Sequence, residues 1–387
     1  MKVDLIDLKY RYLDEHEQIL KSINKLLKKG NLVLTDEVKS FEANICLYTG
    51  MKYCLGLNSG TDALMMSLWA LGIKKGDEVI TSPVSFIASA GAIAHIGAKP
   101  IFVDVDYDLN IDPSKIENAI TKKTKAIMPV HWGGRVCKMD KIVVIANKYN
   151  IPVVEDSAQG MGAYYKNKHS GSFGVISAFS GHPLKNLGAI GDSGFVVTNN
   201  KKLYDKIKLY RNHGLEGRDQ TKFFGINSRI DAIHAEVLSF RLKKLRSGIN
   251  KRNKNVNLYR KFIKTKKVVI PNNNKYELNS YVMFLILCEN RDELQKYLQK
   301  YNIQSLVYYA TPLHLHGASK VYGYKKGEFP VAEEICSKVL AFPHHQYLTI
   351  NQIKFVCNKV LALPHHQYLS ENQIKFVSNK INSFYKN

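Results

Sequence analysis

Apolar runs and helical patterns alternate along the first part of the chain. The apolar runs are short and end in polar residues, and the segments between them carry apolar residues at helical spacing. This alternation predicts a mostly parallel sheet with helices on both faces, and ligands are then expected beyond the carboxyl ends of its strands. The predicted strands are residues 54–57, 79–81, 100–105, 125–131 and 151–156, and the predicted helices are residues 63–71, 85–96, 113–120 and 139–149.

The chain is predicted to form two domains. A lysine- and asparagine-rich stretch at residues 246–275 marks the expected hinge between them. The large domain is residues 1–248, with an N-terminal helical segment, and a smaller C-terminal α/β domain is residues 249–387. Elsewhere we predict a helix that stops at Gly30, helices at residues 37–47, 202–211, 230–245 and 291–301, and a strand at residues 280–287.

The C-terminal region contains a direct repeat, in which residues 339–359 recur as residues 360–380. A solenoid would need several stacked copies, so the pair indicates duplication of one loop-helix unit. Only one copy can occupy the native position in the small domain, and we expect the other to extend the surface. The histidine pairs His344–His345 and His365–His366 are expected at the surface rather than in a metal site. The copies differ at Phe342/Leu363, Thr349/Ser370, Ile350/Glu371 and Cys357/Ser378.

Composition narrows the class of protein. The formal charge of +23 would suit a nucleic-acid binder, but the lysines are scattered and accompany no recognition motif, so no nucleic-acid partner is predicted. The positive charge could favour a polyanionic small substrate. The six cysteines form no closely spaced pair, which indicates reduced thiols and a cytoplasmic protein. The N-terminus lacks the apolar core of a secretion signal, and no apolar run is long enough to span a membrane.

A single lysine, Lys185, stands in a polar turn between two apolar strands in residues 177–198. An ammonium group is rarely held at such a place without a partner or a chemical task. It could neutralise a phosphate, or it could form a Schiff base if its pKa is lowered. An exposed lysine in a structural loop is an equally simple interpretation of this stretch alone.

Three further features fall at predicted strand ends. Residues 59–62, Ser-Gly-Thr-Asp, lie where a strand turns into a helix and could bind a phosphate, although a simple helix cap is the alternative. Asp156 could hold a protonated heteroaromatic nitrogen, or it could cap a helix. Phe86 could offer a face to a flat ring, or it could belong to the core. Together with Lys185 these are the parts of a pyridoxal phosphate (PLP) site.

Several motifs along the chain resemble the DegT/StrS family of PLP-dependent sugar aminotransferases. The resemblance covers about residues 4 to 360 and implies fold type I, with a mostly parallel seven-stranded sheet in the large domain. It also implies a homodimer with shared active sites. The motifs are residues 57–64 (LNSGTDAL), 154–159 (VEDSAQ), 180–187 (SGHPLKNL), 211–214 (RNHG), 227–231 (NSRID) and 312–316 (PLHLH).

The resemblance assigns residues to the cofactor. The resemblance implies that Lys185 is the internal-aldimine lysine and that Asp156 pairs with the pyridine nitrogen. Phe86 stacks on the ring, and Gln159 lies near the ring oxygen. The remaining implied contacts are Gly60, Thr61 and Ser180 with the phosphate, and Asn227 with the phosphate of the neighbouring subunit; no metal ligand is implied.

The implied reaction moves an amino group from glutamate, through pyridoxamine phosphate, to a nucleotide-linked keto-6-deoxy sugar at carbon 3 or 4, for surface glycan biosynthesis. A cyclitol or sugar-phosphate aminotransferase and a regulator of the same fold without turnover are the alternatives. Sugar dehydratases of the family carry histidine in place of the lysine; His182 does not occupy that position, which argues against dehydration. The candidate substrate contacts are Arg229, Tyr308, Tyr309, His314 and His316.

Two departures from the family pattern are visible. Gly181 stands where the family commonly has an aromatic residue, and we expect looser packing beside the site. Residues 132–135 (WGGR) follow His131, and their effect on substrate choice does not follow from the sequence.

Overall fold

The computed structural model describes residues 1–361. The apolar patterns form alternating helices and strands, as the sequence predicts. The helices are α1 (Leu8–Lys29), α2 (Asp36–Thr49), α3 (Gly60–Ala70), α4 (Ile87–His95), α5 (Pro113–Ile116), α6 (Met139–Lys148), α7 (Lys201–Tyr210), α8 (Ala232–Phe262), α9 (Arg291–Lys300), α10 (Pro330–Lys338) and α11 (Ile350–Leu361). The strands are β1 (Tyr53–Leu57), β2 (Glu78–Thr81), β3 (Lys99–Phe102), β4 (Thr124–Met128), β5 (Val154–Asp156), β6 (Tyr164–Tyr165), β7 (Lys168–His169), β8 (Ile176–Ser180), β9 (Gly194–Thr198), β10 (Val268–Val269), β11 (Glu277–Leu278), β12 (Phe284–Cys288) and β13 (Val339–Phe342).

Seven strands form the central layer, in the order β1-β9-β8-β5-β4-β2-β3. Parallel bridges from Ile127 to Val153 and from Val130 to Asp156 join its two parts. The sheet is mixed, because β9 runs antiparallel to both β1 and β8, whereas the other neighbours are parallel. The connection from β8 to β9 contains no crossover helix, so the second strand returns antiparallel. That connection carries Lys185.

Most residues in the strands of the central sheet are buried, as their apolar runs predict. Every residue of β5 and β9 is buried, and α3 packs on β8 and β9. The core beneath α3 includes Leu55, Leu64 and Val196, each no more than 1% exposed. Burial on both faces leaves only the strand ends free to present polar groups to a ligand.

Helix α8 differs from its prediction. It runs without a break from Ala232 to Phe262, so the first part of the stretch predicted as a hinge is helical. Ile249, Val256 and Tyr259 lie on its buried face, at a spacing that continues the apolar stripe of residues 230–245. The division into two domains stays a prediction, and its boundary at residue 248 would fall inside this helix.

The first copy of the repeat supplies β13 and most of α11. Phe342 and Cys357 are no more than 1% exposed and pack with Tyr259 and Phe284 in one apolar cluster. The expectation that His344 and His345 lie at the surface is wrong, since they are 2% and 4% exposed. The chain turns inward after β13, where helix α8 offers polar partners to both residues. The second copy beyond Leu361, with His365–His366, lies outside the described residues.

Among residues 1–361, no helix combines the length and the apolar character that a membrane crossing would need. All six cysteines are free thiols.

Candidate active site

A cavity of about 320 Å³ opens where several strand ends and helix starts meet. It lies beyond the carboxyl ends of β5 and β8, as expected for a sheet of this kind. Seven of the residues predicted from the sequence to bind a cofactor line it, although they are far apart along the chain. They are Gly60, Thr61, Phe86, Asp156, Gln159, Ser180 and Lys185.

Lys185 lies in the connection between β8 and β9, where its backbone N–H donates to the carbonyl of His182 at 2.8 Å. Burial lowers the pKa of its amine, and the carboxylate of Asp156 opposes this by raising it. A lowered pKa increases the fraction of free amine near neutral pH, which is the form that attacks a carbonyl or accepts a proton. The side chain can therefore act as a nucleophile and as a base.

Asp156 ends strand β5 and is 3% exposed. Its Oδ2 accepts a hydrogen bond from the hydroxyl of Ser89 at 2.7 Å, and its Oδ1 accepts one from the N–H of Ala158 at 3.1 Å. Burial raises the pKa of Asp156, whereas these hydrogen bonds and the charge of Lys185 lower it. A buried carboxylate with spare acceptor capacity beside a cavity can hold an N–H group of a ligand.

Glu155, the neighbour of Asp156, is fully buried behind the site. Its carboxylate accepts hydrogen bonds from Nε2 of His131 at 2.9 Å and from the N–H groups of Gly171, Phe173 and Gly174 at 2.8, 2.7 and 2.6 Å. Because Nδ1 of His131 accepts from the N–H of Cys137, the imidazole proton sits on Nε2 and points at Glu155. This network fixes the end of β5 and so the position of Asp156.

The start of helix α3 forms one end of the cavity. Ser59 caps the helix by accepting from the N–H of Asp62 at 3.0 Å, which leaves the first N–H groups of the helix free for an anion. A Cβ atom at Gly60 would come within 2.8 Å of Cβ of Ser180, so only glycine lets α3 approach β8 this closely. The resulting cradle of N–H groups and hydroxyls fits a phosphate group.

Gln159 is held in one orientation. Its Oε1 accepts from the N–H of Gly133 at 2.8 Å, and its carbonyl accepts from the hydroxyl of Ser280 at 3.0 Å. Only its amide N–H₂ is then left to donate to a ligand oxygen. Residues 132–135, whose role does not follow from the sequence, thus include the group that orients Gln159.

Some predicted contacts do not line this cavity. Asn227 is exposed, and the guanidinium of Arg229 donates to Oδ1 of Asn212 at 3.0 Å. His314 is buried against Glu333, with 3.1 Å between Nε2 and Oε1, and Nε2 of His316 lies 3.1 Å from the carbonyl of Thr311. Tyr308 and Tyr309 do line the cavity.

Gly181 does not loosen the packing next to the site. It is buried, and its N–H donates to the carbonyl of Ser193 at 2.7 Å. A Cβ atom at this position would lie 2.1 Å from Oγ of Ser193, so the smaller residue is matched by a closer neighbour.

Several lining residues have no counterpart in the sequence prediction. Leu5 and Ile6 reach the cavity because the N-terminal segment is anchored to the C-terminal part, where the N–H of Leu5 donates to Oε1 of Gln304 at 3.0 Å. Ser89 lies in the first turn of α4, and its hydroxyl is 2.6 Å from that of Ser85, which precedes the helix. Short motifs cannot reveal such residues, since each acts through a partner distant in the chain. Within residues 1–361, no group of three or more His, Cys, Asp or Glu side chains could hold a metal ion.

Comparison with known proteins gives one consistent family. A family model described as the DegT/DnrJ/EryC1/StrS aminotransferase family matches residues 13–381. The chain is 37% identical to a pleiotropic regulatory protein of Geobacillus stearothermophilus, over 92% of this chain and 97% of that protein. It is 36% identical to dTDP-3-amino-3,6-dideoxy-alpha-D-galactopyranose transaminase of Aneurinibacillus thermoaerophilus, over 92% of this chain and 96% of that protein.

Two solved structures superpose closely on this chain. The structure of DesV from S. venezuelae in complex with a ketimine intermediate superposes with a TM-score of 0.90 at 34% identity and covers 93% of this chain and 97% of DesV. Spr1654 from Streptococcus pneumoniae in its PLP form superposes with a TM-score of 0.84 at 25% identity, over 94% of this chain and 97% of that chain.

Proposed function

This chain belongs to the DegT/DnrJ/EryC1/StrS aminotransferase family, and from that premise we propose that it moves an amino group from glutamate to a nucleotide-linked keto-6-deoxy sugar, at carbon 3 or 4, for surface glycan biosynthesis. It is a PLP-dependent sugar aminotransferase. The observation that carries the proposal is that Lys185 and Asp156 share a cavity with a phosphate-sized cradle at the start of α3. The relative from Aneurinibacillus thermoaerophilus is named for an amino-dideoxy sugar linked to dTDP, which supports this substrate class.

The side chains of the cavity have complementary tasks in this reaction. Bound PLP supplies a conjugated, protonated ring that takes up an electron pair from the substrate carbon. Lys185 would hold the cofactor through its amine, and the same amine, once free, would accept a proton from the α-carbon of the amino donor. Asp156 would accept a hydrogen bond from the ring N–H and so keep the ring protonated, while Ser89 and the N–H of Ala158 hold the carboxylate in position.

The remaining groups orient the cofactor. Gly60, Thr61 and Ser180 would bind the phosphate, Phe86 would stack on the ring, and Gln159 would donate its amide N–H to the ring oxygen. The half-exposed ring of Phe86 supports this assignment, because a core phenylalanine would be covered by protein. Tyr308 and Tyr309 contact the sugar substrate beside it.

We assign the active enzyme as a homodimer in which each site is completed by the partner subunit. Asn227 is exposed and outside the cavity of its own protomer, which suits a contact with the cofactor phosphate of the partner. The adjacent Phe224 is 97% exposed, and Ile190 near the cavity is 51% exposed. Apolar side chains presented in this way support a surface that a second protomer covers. Arg229, His314 and His316 are further proposed substrate contacts.

The protein is assigned to the cytoplasm, where its six free thiols would stay reduced. Absorbance spectroscopy of the purified protein tests the cofactor assignment. The holoprotein should show a visible absorbance band that glutamate shifts, and Lys185→Ala should remove it, whereas the exposed Lys166→Ala should retain it. Assays with a panel of nucleotide-linked keto sugars and with an inosose then identify the acceptor class. A protein that stays colourless with PLP, or that binds PLP but transfers no nitrogen to any acceptor, would contradict the proposal.

A further inference from the structure

A second cavity, of about 300 Å³, lies behind the segment that carries Lys185. It is open to solvent on one side and is lined by α1, α8 and the segment after β13. None of the seven cofactor-site residues lines it. Its lining consists mainly of long polar and charged side chains from these three elements, together with Asn186, which follows Lys185 in the chain.

Positive charge exceeds negative charge around this cavity. Arg11, Arg241 and Arg252 are each 8% exposed, and the only buried carboxylate in the lining is Glu15. Oε2 of Glu15 accepts from Nε of Arg241 at 2.7 Å and lies 3.6 Å from Nε of Arg11. Glu15 is thus shared by two guanidinium groups.

Arg252 has no carboxylate partner among the described residues. Its Nε donates to Oε1 of Gln346 at 3.2 Å, and its Nη1 donates to the carbonyl of Tyr281 at 2.8 Å. Burial lowers the pKa of Arg252, and the charge of Arg11 lowers it further. Two buried guanidiniums that repel each other across a cavity are stabilised by an anion between them.

Side chains at the rim of the cavity add to its excess of positive charge. Lys244 and Lys251 are exposed lining residues, whereas Asp14, 3.5 Å from Nζ of Lys244, is the only other carboxylate of the lining. The lining therefore carries five cationic side chains and two carboxylates. Basic side chains at the mouth raise the local concentration of anions.

Two lining residues each carry a buried polar atom that makes no hydrogen bond among residues 1–361. They are Oδ1 of Asn186 and Nε of Arg11, whose neighbouring carboxylate oxygen on Glu15 is 3.6 Å away. Hydrogen phosphate carries acceptor oxygens for guanidinium N–H groups and one O–H donor for an amide oxygen. A cavity of this size has room for such an ion with accompanying water.

We propose that this cavity binds a small multivalent oxyanion, such as hydrogen phosphate, between Arg11 and Arg252. Hydrogen bonds from two arginines of this cavity to backbone carbonyls connect it to the segment that carries Lys185. Nη2 of Arg11 donates to the carbonyl of Asn186 at 3.4 Å, and Nη1 of Arg241 donates to the carbonyl of Ala189 at 3.0 Å. Asn186 follows Lys185 directly. An ion bound in this cavity therefore stabilises the backbone next to Lys185, on the side away from the active-site cavity. This site is separate from the cofactor phosphate cradle and does not depend on the identity of the sugar substrate.

Thermal unfolding of the holoenzyme in phosphate tests the proposal. PLP is first fixed by borohydride so that the active-site cradle is filled, and phosphate is then titrated against sodium chloride at constant ionic strength. Phosphate should raise Tm saturably, by about 3 °C at a hundredfold excess over its Kd. Arg11→Gln should lose this response, whereas Lys254→Gln, an exposed cation on α8 outside the cavity, should keep it.

The exposed rim residue supplies a variant that leaves the buried cluster intact. Lys244→Gln should fold normally and need several times more phosphate to reach half of the full shift in Tm. The proposal is overturned if phosphate gives no saturable shift beyond that of chloride. It is equally overturned if Lys244→Gln and Arg11→Gln respond to phosphate as the unaltered protein does.

Discussion

The hydroxyl of Ser89 donates a 2.7 Å hydrogen bond to Oδ2 of Asp156, at the carboxyl end of strand β5. Ser89 belongs to helix α4, which is distant from strand β5 in the sequence. The carboxylate is therefore held in place by a separate element of the fold. The bond favours the ionised form of Asp156, against burial, which raises its pKa. Ser89 is therefore one of the groups that keep Asp156 charged, together with the N–H of Ala158 and the charge of Lys185.

Removal of this hydroxyl should weaken catalysis. Ser89→Ala should raise the pKa of Asp156 further, so the acid limb of the pH–rate profile should move to higher pH. Loss of a hydrogen bond to a charged group costs about 1.5–3 kcal/mol, and we expect kcat to fall by about tenfold or more. Ser89→Thr, which keeps the hydroxyl, should restore the profile. An unchanged acid limb in Ser89→Ala would show that the bond does not control Asp156.

The phosphate cradle should not tolerate a side chain at Gly60. In Gly60→Ala the new Cβ would meet Cβ of Ser180 at 2.8 Å, and α3 would have to move away from β8. We expect the Kd for PLP, measured by absorbance or fluorescence titration, to rise by at least about tenfold. Gly91→Ala is the matched control, because a Cβ there meets no atom within 4 Å. Equal PLP affinity in both variants would contradict the assignment of the cradle.

Shared active sites should be visible in mixed dimers. Lys185→Ala and Asn227→Ala are each expected to be inactive alone, since one lacks the amine and the other lacks the partner's phosphate contact. A mixed dimer of the two contains one site with both changes and one intact site. After subunit exchange, random pairing should restore about a quarter of the unaltered activity. No recovery, with exchange verified by mass spectrometry, would contradict the proposed homodimer.

The lowered pKa of Lys185 should make the apoprotein more stable at high pH. Because burial lowers the folded-state pKa, the unfolded chain binds more protons between that pKa and the ordinary lysine value. The stability contributed by the neutral amine is therefore lost as pH falls through this window. Relative to Lys185→Met, the unaltered apoprotein should gain Tm as pH is raised from neutral toward 10. A difference in Tm that stays constant with pH would contradict the lowered pKa.

The sequence predicted the parts of the site that follow from local pattern. Asp156 and Lys185 each lie where an apolar strand gives way to polar residues, and strand ends of a parallel sheet meet at one edge. The turn at residues 59–62 is a candidate phosphate site because a strand-to-helix turn exposes free N–H groups, and the family resemblance then assigns Gly60 and Thr61 to the phosphate. These features need only the neighbouring residues to be recognised.

Other features depend on contacts between distant residues. The burial of His344 results from Arg252 and the carbonyl of Tyr281, which lie elsewhere in the chain. The length of α8 was missed because lysine and asparagine dominate its second half, although Ile249, Val256 and Tyr259 keep the helical spacing. The role of Gly133 appears only when its N–H is seen to orient Gln159.

Borohydride reduction of the holoprotein, followed by proteolysis and mass spectrometry of the peptides, tests whether Lys185 forms the covalent bond to PLP. We predict that the peptide containing residue 185 carries the reduced cofactor and that no other lysine peptide does in proportion to bound PLP. A modified peptide elsewhere, or none at all in a protein that has bound PLP, would contradict the account.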